Sequence, residues 1–263
     1  MTTTTSLTCD HRGPITLIGL HRPEVRNAID AGTAQALLAA CEAFDADPDQ
    51  RVAILYGHGD HFCAGADLKA YAAGDALRLS EEGPGPLGPT RLALSKPLIA
   101  AIEGYAVAGG LELALWADLR VGSTSAALGV LCRRWGVPLI DGGTVRLPRL
   151  IGLSRALDLV LTGRLVYAEE AYGWGLLNRL VPAGQALDAA FELATSLAHF
   201  PQATLRADRD NARSAFDLPE QEALRAEFRR AYPALLAEGR DGASRFRDGA
   251  GRHASFDDDP GST

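Results

Sequence analysis

Cysteine is scarce in this sequence: 263 residues hold four, Cys9, Cys41, Cys63 and Cys132, with no CxxC pair among them. That spacing excludes a disulfide framework and leaves no signature of structural zinc. The opening MTTTTSLTCD carries no apolar leader, so reduced thiols in a cytoplasmic protein are the expectation. Positive charge is also short. Lys and Arg number 26 against 33 Asp and Glu, a net charge of −7, which excludes a nucleic-acid binder driven by basic surface. A few local arginines would still suffice for a phosphate-bearing small ligand. Three signatures are missing as well: the GxxxxGK[ST] phosphate loop, a GxGxxG followed by a ribose-binding acid, and the GxSxG elbow.

One run, residues 97–117 (PLIAAIEGYAVAGGLELALWA), has the length of a membrane span. Glu103 and Glu112 lie inside it, however, and Gly104, Gly109 and Gly110 interrupt it. Carboxylates at bilayer depth are costly. The run therefore reads as strand, turn and helix in a protein core, with no membrane partner. A composition that is 47% hydrophobic and 22% charged supplies that core and excludes disorder as the main state.

The first twenty residues predict a strand pair turning at residues 11–14. Asp30 stands where an N-cap belongs, ahead of a helical stripe of Leu37, Leu38, Cys41 and Phe44. Residues 52–56 (VAILY) and 97–103 read as buried strands, and each leads through a glycine-bearing turn into a helix. Such alternation predicts an α/β arrangement with parallel strands. The segment 80–90 (SEEGPGPLGPT) reads as a mobile, turn-rich loop. Helices are expected over 154–162, 168–174, 185–199, 202–215 and 219–237, with Gly163 and Gly239 as stops. The tail 253–263 is expected to fray.

Both glycine turns offer backbone N–H groups at a helix start, where unsatisfied amides and the helix dipole favour negative charge. Two such amides converging on one point would make an oxyanion hole. Glu112, in an apolar segment, should have its pKa raised by desolvation, which suits proton transfer near neutrality. His58, Asp60 and His61 lie close together but lack a fourth ligand, so they read as loop residues and no metal is expected. Glu103 reads as the start of a turn. Trp116, Trp135 and Trp174 read as core or subunit contacts.

Four motifs, in order along nearly the whole chain, carry a resemblance. They are residues 21–30 (HRPEVRNAID), 62–68 (FCAGADL), Lys96-Pro97 leading into 104–114 (GYAVAGGLELA), and Asp141-Gly142-Gly143-Thr144 with Leu147-Pro148-Arg149. Together they resemble the crotonase (enoyl-CoA hydratase/isomerase) superfamily. The resemblance implies an α/β fold, a ClpP-like spiral of ββα turns. It implies an acyl-CoA-binding core over 1–200, and a helical region over 201–263 that trimerises the protein and covers the active site. A homotrimer or hexamer is the implied assembly.

By motif position, the N–H groups of Ala66 and Gly109 would hold the thioester oxygen. Ala64, Asp67 and Leu68 would meet adenine and pantetheine through backbone atoms, and Arg22 and Arg26 the CoA phosphates. Glu112 stands where hydratases carry one catalytic glutamate. Cys132 stands where the second belongs, and a thiol is a poor proton shuttle beside a carboxyl. Asp141 stands where several isomerase-type members carry an aspartate, although it also suits a turn before Gly142-Gly143. The expected function is enoyl-CoA hydration, with coenzyme A part of the substrate and no separate cofactor. Alternatives are an enoyl-CoA or dienoyl-CoA isomerase using Glu112 and Asp141, or a catalytically weak acyl-CoA binder.

Overall fold

The computed structural model describes residues 6–75 and 77–250, so the tail expected to fray lies outside the described residues. The chain divides into two compact units, one running to Ala198 and the other starting at His199.

The first unit begins with an antiparallel pair, β1 (Leu7–Arg12) and β2 (Ile15–Leu20), turning at Gly13-Pro14. Helix α1 (Ala31–Ala46) follows, and the Asp30 carboxylate caps it by accepting from Thr33 N at 2.8 Å. Next come β3 (Val52–Gly57), α2 (Leu68–Ala72), β4 (Leu98–Ile102), β5 (Tyr105–Val107), α3 (Gly109–Trp116), β6 (Leu119–Ser123) and β7 (Ala127–Gly129). Then follow α4 (Gly143–Ile151), α5 (Leu153–Thr162), β8 (Leu165–Tyr167), α6 (Ala168–Gly173), β9 (Arg179–Val181) and α7 (Ala186–His199).

Six strands form a sheet in the order β1-β2-β3-β4-β6-β9, parallel except for the β1–β2 edge. Its central strands are apolar on both sides, as a parallel sheet covered on both faces requires. Leu98, Ala100 and Ile102 enter one core with Leu55, Phe62 and Leu111. Ile99 and Ala101 enter the other, with Val52, Ile54 and the α7 residues Ala190 and Ala194. A second sheet, β5-β7-β8, stacks short segments from successive turns of the chain. The isolated parallel bridge Cys63↔Ala106 adds one more position to that stack.

Each turn therefore lays one long strand in the large sheet and one short strand or bridge in the small stack. The first two turns then continue into α2 and α3. This is the ββα spiral that the resemblance implies. The residues alone predict only strand, turn and helix, because three-residue strands such as β5 and β7 carry no readable period. Helix α4 is also absent from that reading.

Two other expectations change. Residues 85–90 are buried and end in a short 3-10 helix, Pro89–Arg91, so this stretch is part of the core rather than a free loop. Its glycine and proline content serves a close approach: a Cβ on Gly88 would overlap the carbonyl oxygen of Ala34. Glu103 does more than start a turn. It accepts from the hydroxyls of Ser123 and Ser125 and from Ala186 N at 3.0 Å, capping α7 from the end of β4.

The second unit contains α8 (Gln202–Ser214) and α9 (Glu220–Arg247). Gly163 stops α5 in a left-handed conformation as expected, but Gly239 does not stop α9, which runs on to Arg247. The preceding Glu238 accepts from Ala203 N and Thr204 N, both at 2.9 Å, so α9 is pinned across the start of α8. That tertiary bond outweighs the helix cost of one glycine, about 1 kcal/mol.

Candidate active site

Successive spiral turns bring the two glycine segments against one another. A Cβ on Gly65 would lie 2.7 Å from the nitrogen of Gly109. Gly65 has φ +90°, which only glycine adopts at little cost, and it aims the following amide, that of Ala66. Ala66 itself bridges Ile29 in parallel, yet its N–H is not spent there: Ile29 N donates to Gly65 O and Asp67 N to Ile29 O. Gly109 is the first residue of α3, where the helix cannot use its N–H. Among the described residues neither amide has an acceptor.

Both amides border a cavity of about 720 Å³ in the first unit. Its wall also includes Ala64, Leu68, Arg26, Glu112, Asp141 and Cys132. Arg22 and Asp67 do not line it. The Arg22 guanidinium meets Asp67 at 3.0 Å and Asp30 at 3.1 Å, while Asp67 caps α2 through Lys69 N and Ala70 N. These two residues frame the turn. Arg26 borders the cavity and lies over the Tyr105 ring, 5.8 Å from its centroid.

Glu112 is 2% exposed, and its Oε1 accepts from Gly143 N at 2.8 Å and Asp141 N at 2.9 Å. Burial nevertheless dominates and pushes its pKa up to about 7, with the neighbouring Asp141 charge adding to the rise. Asp141 is 3% exposed. Its Oδ1 accepts from Leu87 N at 3.0 Å and from the Thr90 hydroxyl, and burial raises its pKa too. Cys132 stands near enough for the Glu112 charge to reinforce the desolvation that raises its thiol pKa. A neutral thiol therefore occupies this part of the wall.

The sequence reading passes over Leu87, Thr90, Arg146 and the Gly143 amide. A leucine inside a Pro-Gly-Pro-Leu-Gly-Pro stretch was the available signal that 80–90 packs inward. Thr90 and Arg146 stand 56 positions apart, and nothing in the pattern joins them. His58 meets the Thr8 hydroxyl at 2.8 Å, and His61 accepts from Tyr105 N at 3.2 Å. Among the described residues no group of three His, Cys, Asp or Glu could hold a metal, and no helix is long and apolar enough to cross a membrane. Trp116 is buried and donates to Leu92 O, whereas Trp135 is exposed on the cavity wall.

A buried, proton-poised carboxyl beside two unspent amides suits the handling of a carbonyl whose oxygen becomes negative in the reaction. Comparisons with known proteins identify the family. The enoyl-CoA hydratase/isomerase family profile matches residues 10–248. An enoyl-CoA hydratase, EchA19 of Mycobacterium tuberculosis, is 36% identical over 87% of this chain and 88% of its own length. A carnitinyl-CoA dehydratase of Salmonella arizonae is 41% identical over 88% and 90%. The solved structure of enoyl-CoA hydratase EchA1 from Mycobacterium marinum superposes with a TM-score of 0.88 at 34% identity, covering 93% of this chain and 96% of that one. The chain belongs to the enoyl-CoA hydratase/isomerase family of the crotonase superfamily.

Proposed function

We propose that the protein hydrates a trans-2-enoyl-CoA to a 3-hydroxyacyl-CoA. The observation that carries this reading is the meeting, on one cavity, of two unspent amides and a carboxyl with a pKa near 7. The Ala66 and Gly109 N–H groups polarise the thioester oxygen. Water adds its oxygen to Cβ while a carboxylate, Glu112 or Asp141, takes one of its protons. The electron pair of the double bond moves into an enolate held by the two amides. A protonated carboxyl then delivers a proton to Cα. Glu112 titrates near neutrality, so it can serve in either direction.

Ala64, Leu68 and Arg26, all on the cavity wall, are the candidates for the coenzyme A portion, Arg26 through a phosphate contact. Arg22 and Asp67 serve it indirectly, by holding the turn. The reaction needs no cofactor beyond the coenzyme A of the substrate. A homo-oligomer, trimeric or hexameric, is supported by an exposed stripe on α5, where Leu153, Leu157 and Leu161 recur every four residues. Sedimentation would test it. A cytoplasmic location fits four cysteines of which none is paired with another.

Isomerisation is the second reading, and the thiol of Cys132 favours it. With a neutral sulfur in place of a second glutamate, a dry site could shift the double bond by moving one proton between carbons. Crotonyl-CoA incubated with the protein in ¹⁸O-water separates the two. Labelled 3-hydroxyacyl-CoA establishes hydration. Unlabelled, unconsumed substrate overturns it and directs attention to 3-enoyl thioesters.

A further inference from the structure

The Asp141 carboxyl sits in a closed arrangement that the reaction scheme above leaves unused. Thr90, fully buried, donates its hydroxyl to Asp141 Oδ1, and Leu87 N donates to the same oxygen. Arg146 spans the backbone of both residues, with Nη1 on Asp141 O at 2.8 Å and Nη2 on Thr90 O at 2.6 Å. Asp141 N in turn donates to Glu112 Oε1. Asp141 Oδ2 takes no hydrogen bond among the described residues, and Asp141 borders the cavity.

Two glycines are shaped around this arrangement. A Cβ on Gly85 would overlap the Thr90 hydroxyl and stand 2.7 Å from Asp141 Oδ1. A Cβ on Gly142 would overlap Arg146 Nη1. Backbone elements from two distant stretches of chain thus leave room for one hydroxyl–carboxylate contact and one guanidinium clamp.

We propose that Thr90 is a positioning residue for the reaction: its hydroxyl fixes Oδ1 of Asp141 and leaves Oδ2 as the proton-carrying atom, with Arg146 holding the two backbones in register. The proposal rests on Asp141 as a proton carrier, the reading given above. A hydroxyl that donates to the carboxylate favours its ionised form. It opposes the burial that raises the Asp141 pKa. The other charged groups facing Asp141 are Glu112 from α3, Arg91 from the Pro89–Arg91 turn and Arg146 from α4. None of these changes when Thr90 is replaced by its near-isostere valine.

The test is a carboxyl titration, read without any substrate. Protein labelled with ¹³C at aspartate carboxyls is titrated by NMR, and Asp141→Asn assigns the signal. In Thr90→Val the Asp141 midpoint is expected to rise by about one pH unit, the scale of one lost hydrogen bond to a charge. Thr90→Ser, which keeps the hydroxyl, should return the midpoint to its parent position. The acid limb of kcat/KM should move with the midpoint, and KM should not. An unmoved midpoint in Thr90→Val, or equal shifts in valine and serine variants, overturns the proposal and leaves Thr90 a space-filling residue. Should the valine variant not fold, Thr90→Ala makes the same comparison. Full turnover in Asp141→Asn would instead remove Asp141 from the chemistry, a failure of the underlying reading that the titration distinguishes.

Discussion

The two turns that leave an amide unspent on the cavity do so with opposite residue orders. In the first, Gly65 takes the positive φ and Ala66 provides the N–H. In the second, Ala108 takes φ +54° and Gly109 provides the N–H. Packing accounts for the inversion. A Cβ on Gly109 would overlap Leu87 Cδ1, the end of a side chain, so the smallest residue fits the donor position without moving Leu87. Gly65 must lack a Cβ because it would stand 2.7 Å from Gly109 N and 3.1 Å from the Ala108 methyl. The strained conformation of the second turn therefore falls on an alanine, at a cost of about 1–3 kcal/mol. The turns differ again three residues past the donor. Lys69 is exposed, whereas Glu112 is buried on the cavity. One turn offers the cavity only an unspent amide; the other offers an unspent amide and a buried carboxyl.

Breaking the second turn's chemistry should have the largest effect. Glu112→Gln is expected to lower kcat by roughly 10²–10⁴-fold, the usual scale for a lost acid–base group, while binding of a saturated acyl-CoA, read by calorimetry, persists. Loss of binding along with turnover would mean that Glu112 is structural. Next in size is Gly65→Ala, which strains its own φ and presses on Gly109 N, disturbing both amides. Turnover should fall about 10²–10³-fold, the range for an oxyanion donor. Gly109→Ala meets mainly the end of the Leu87 side chain, which can turn aside, so its loss should be about tenfold. The reverse ranking would show that Leu87 is the less yielding neighbour.

Stability offers two finer tests. Burial raises Glu112 from an unfolded value near 4.5 to about 7, so the folded state favours its protonated form. The stability linked to that proton is complete below about pH 4.5 and is lost as pH rises through 7. Glu112→Gln should therefore raise stability at pH 8 by on the order of 2–3 kcal/mol, with the gain vanishing near pH 4 in urea titrations. Smallest of all is Ala108→Gly. Relief of the positive φ is partly offset by the lost methyl contact and by glycine's greater freedom in the unfolded chain. A net gain of about 0.5 kcal/mol is expected in urea titrations. A loss would show that the Ala108 methyl packs better than its backbone is strained.

Much of this arrangement was legible before the fold was known. Parallel strands buried on both faces announce themselves in residues 52–56 and 97–103, because a strand covered on both sides has no polar alternation. Asp30 was legible as a cap, and Glu112 as a carboxyl with a raised pKa, from apolar neighbours in the same segment. Residues 80–90 misled because proline and glycine mark a turn equally well in solvent or in a core. The roles of Arg22 and Asp67 could not be separated from ligand contact by motif position. Motif position does not show that the Arg22 guanidinium pairs with Asp30 and Asp67, which orders the turn.

What the sequence alone determined about this protein is local: strand and helix starts, the donors at two helix beginnings, and the family to which its motifs point. Those features depend on residues within a few positions of one another, where backbone geometry and capping chemistry act. Tertiary structure decided the rest. It set Gly65 against Gly109, brought the Thr90 hydroxyl and the Arg146 clamp to Asp141, and raised Glu112 to about 7 by closing the core over it. Desolvation and hydrogen bonding depend on what surrounds a group in space, and the spiral joins Thr90 to Asp141 across 51 positions and Glu112 to Gly143 across 31.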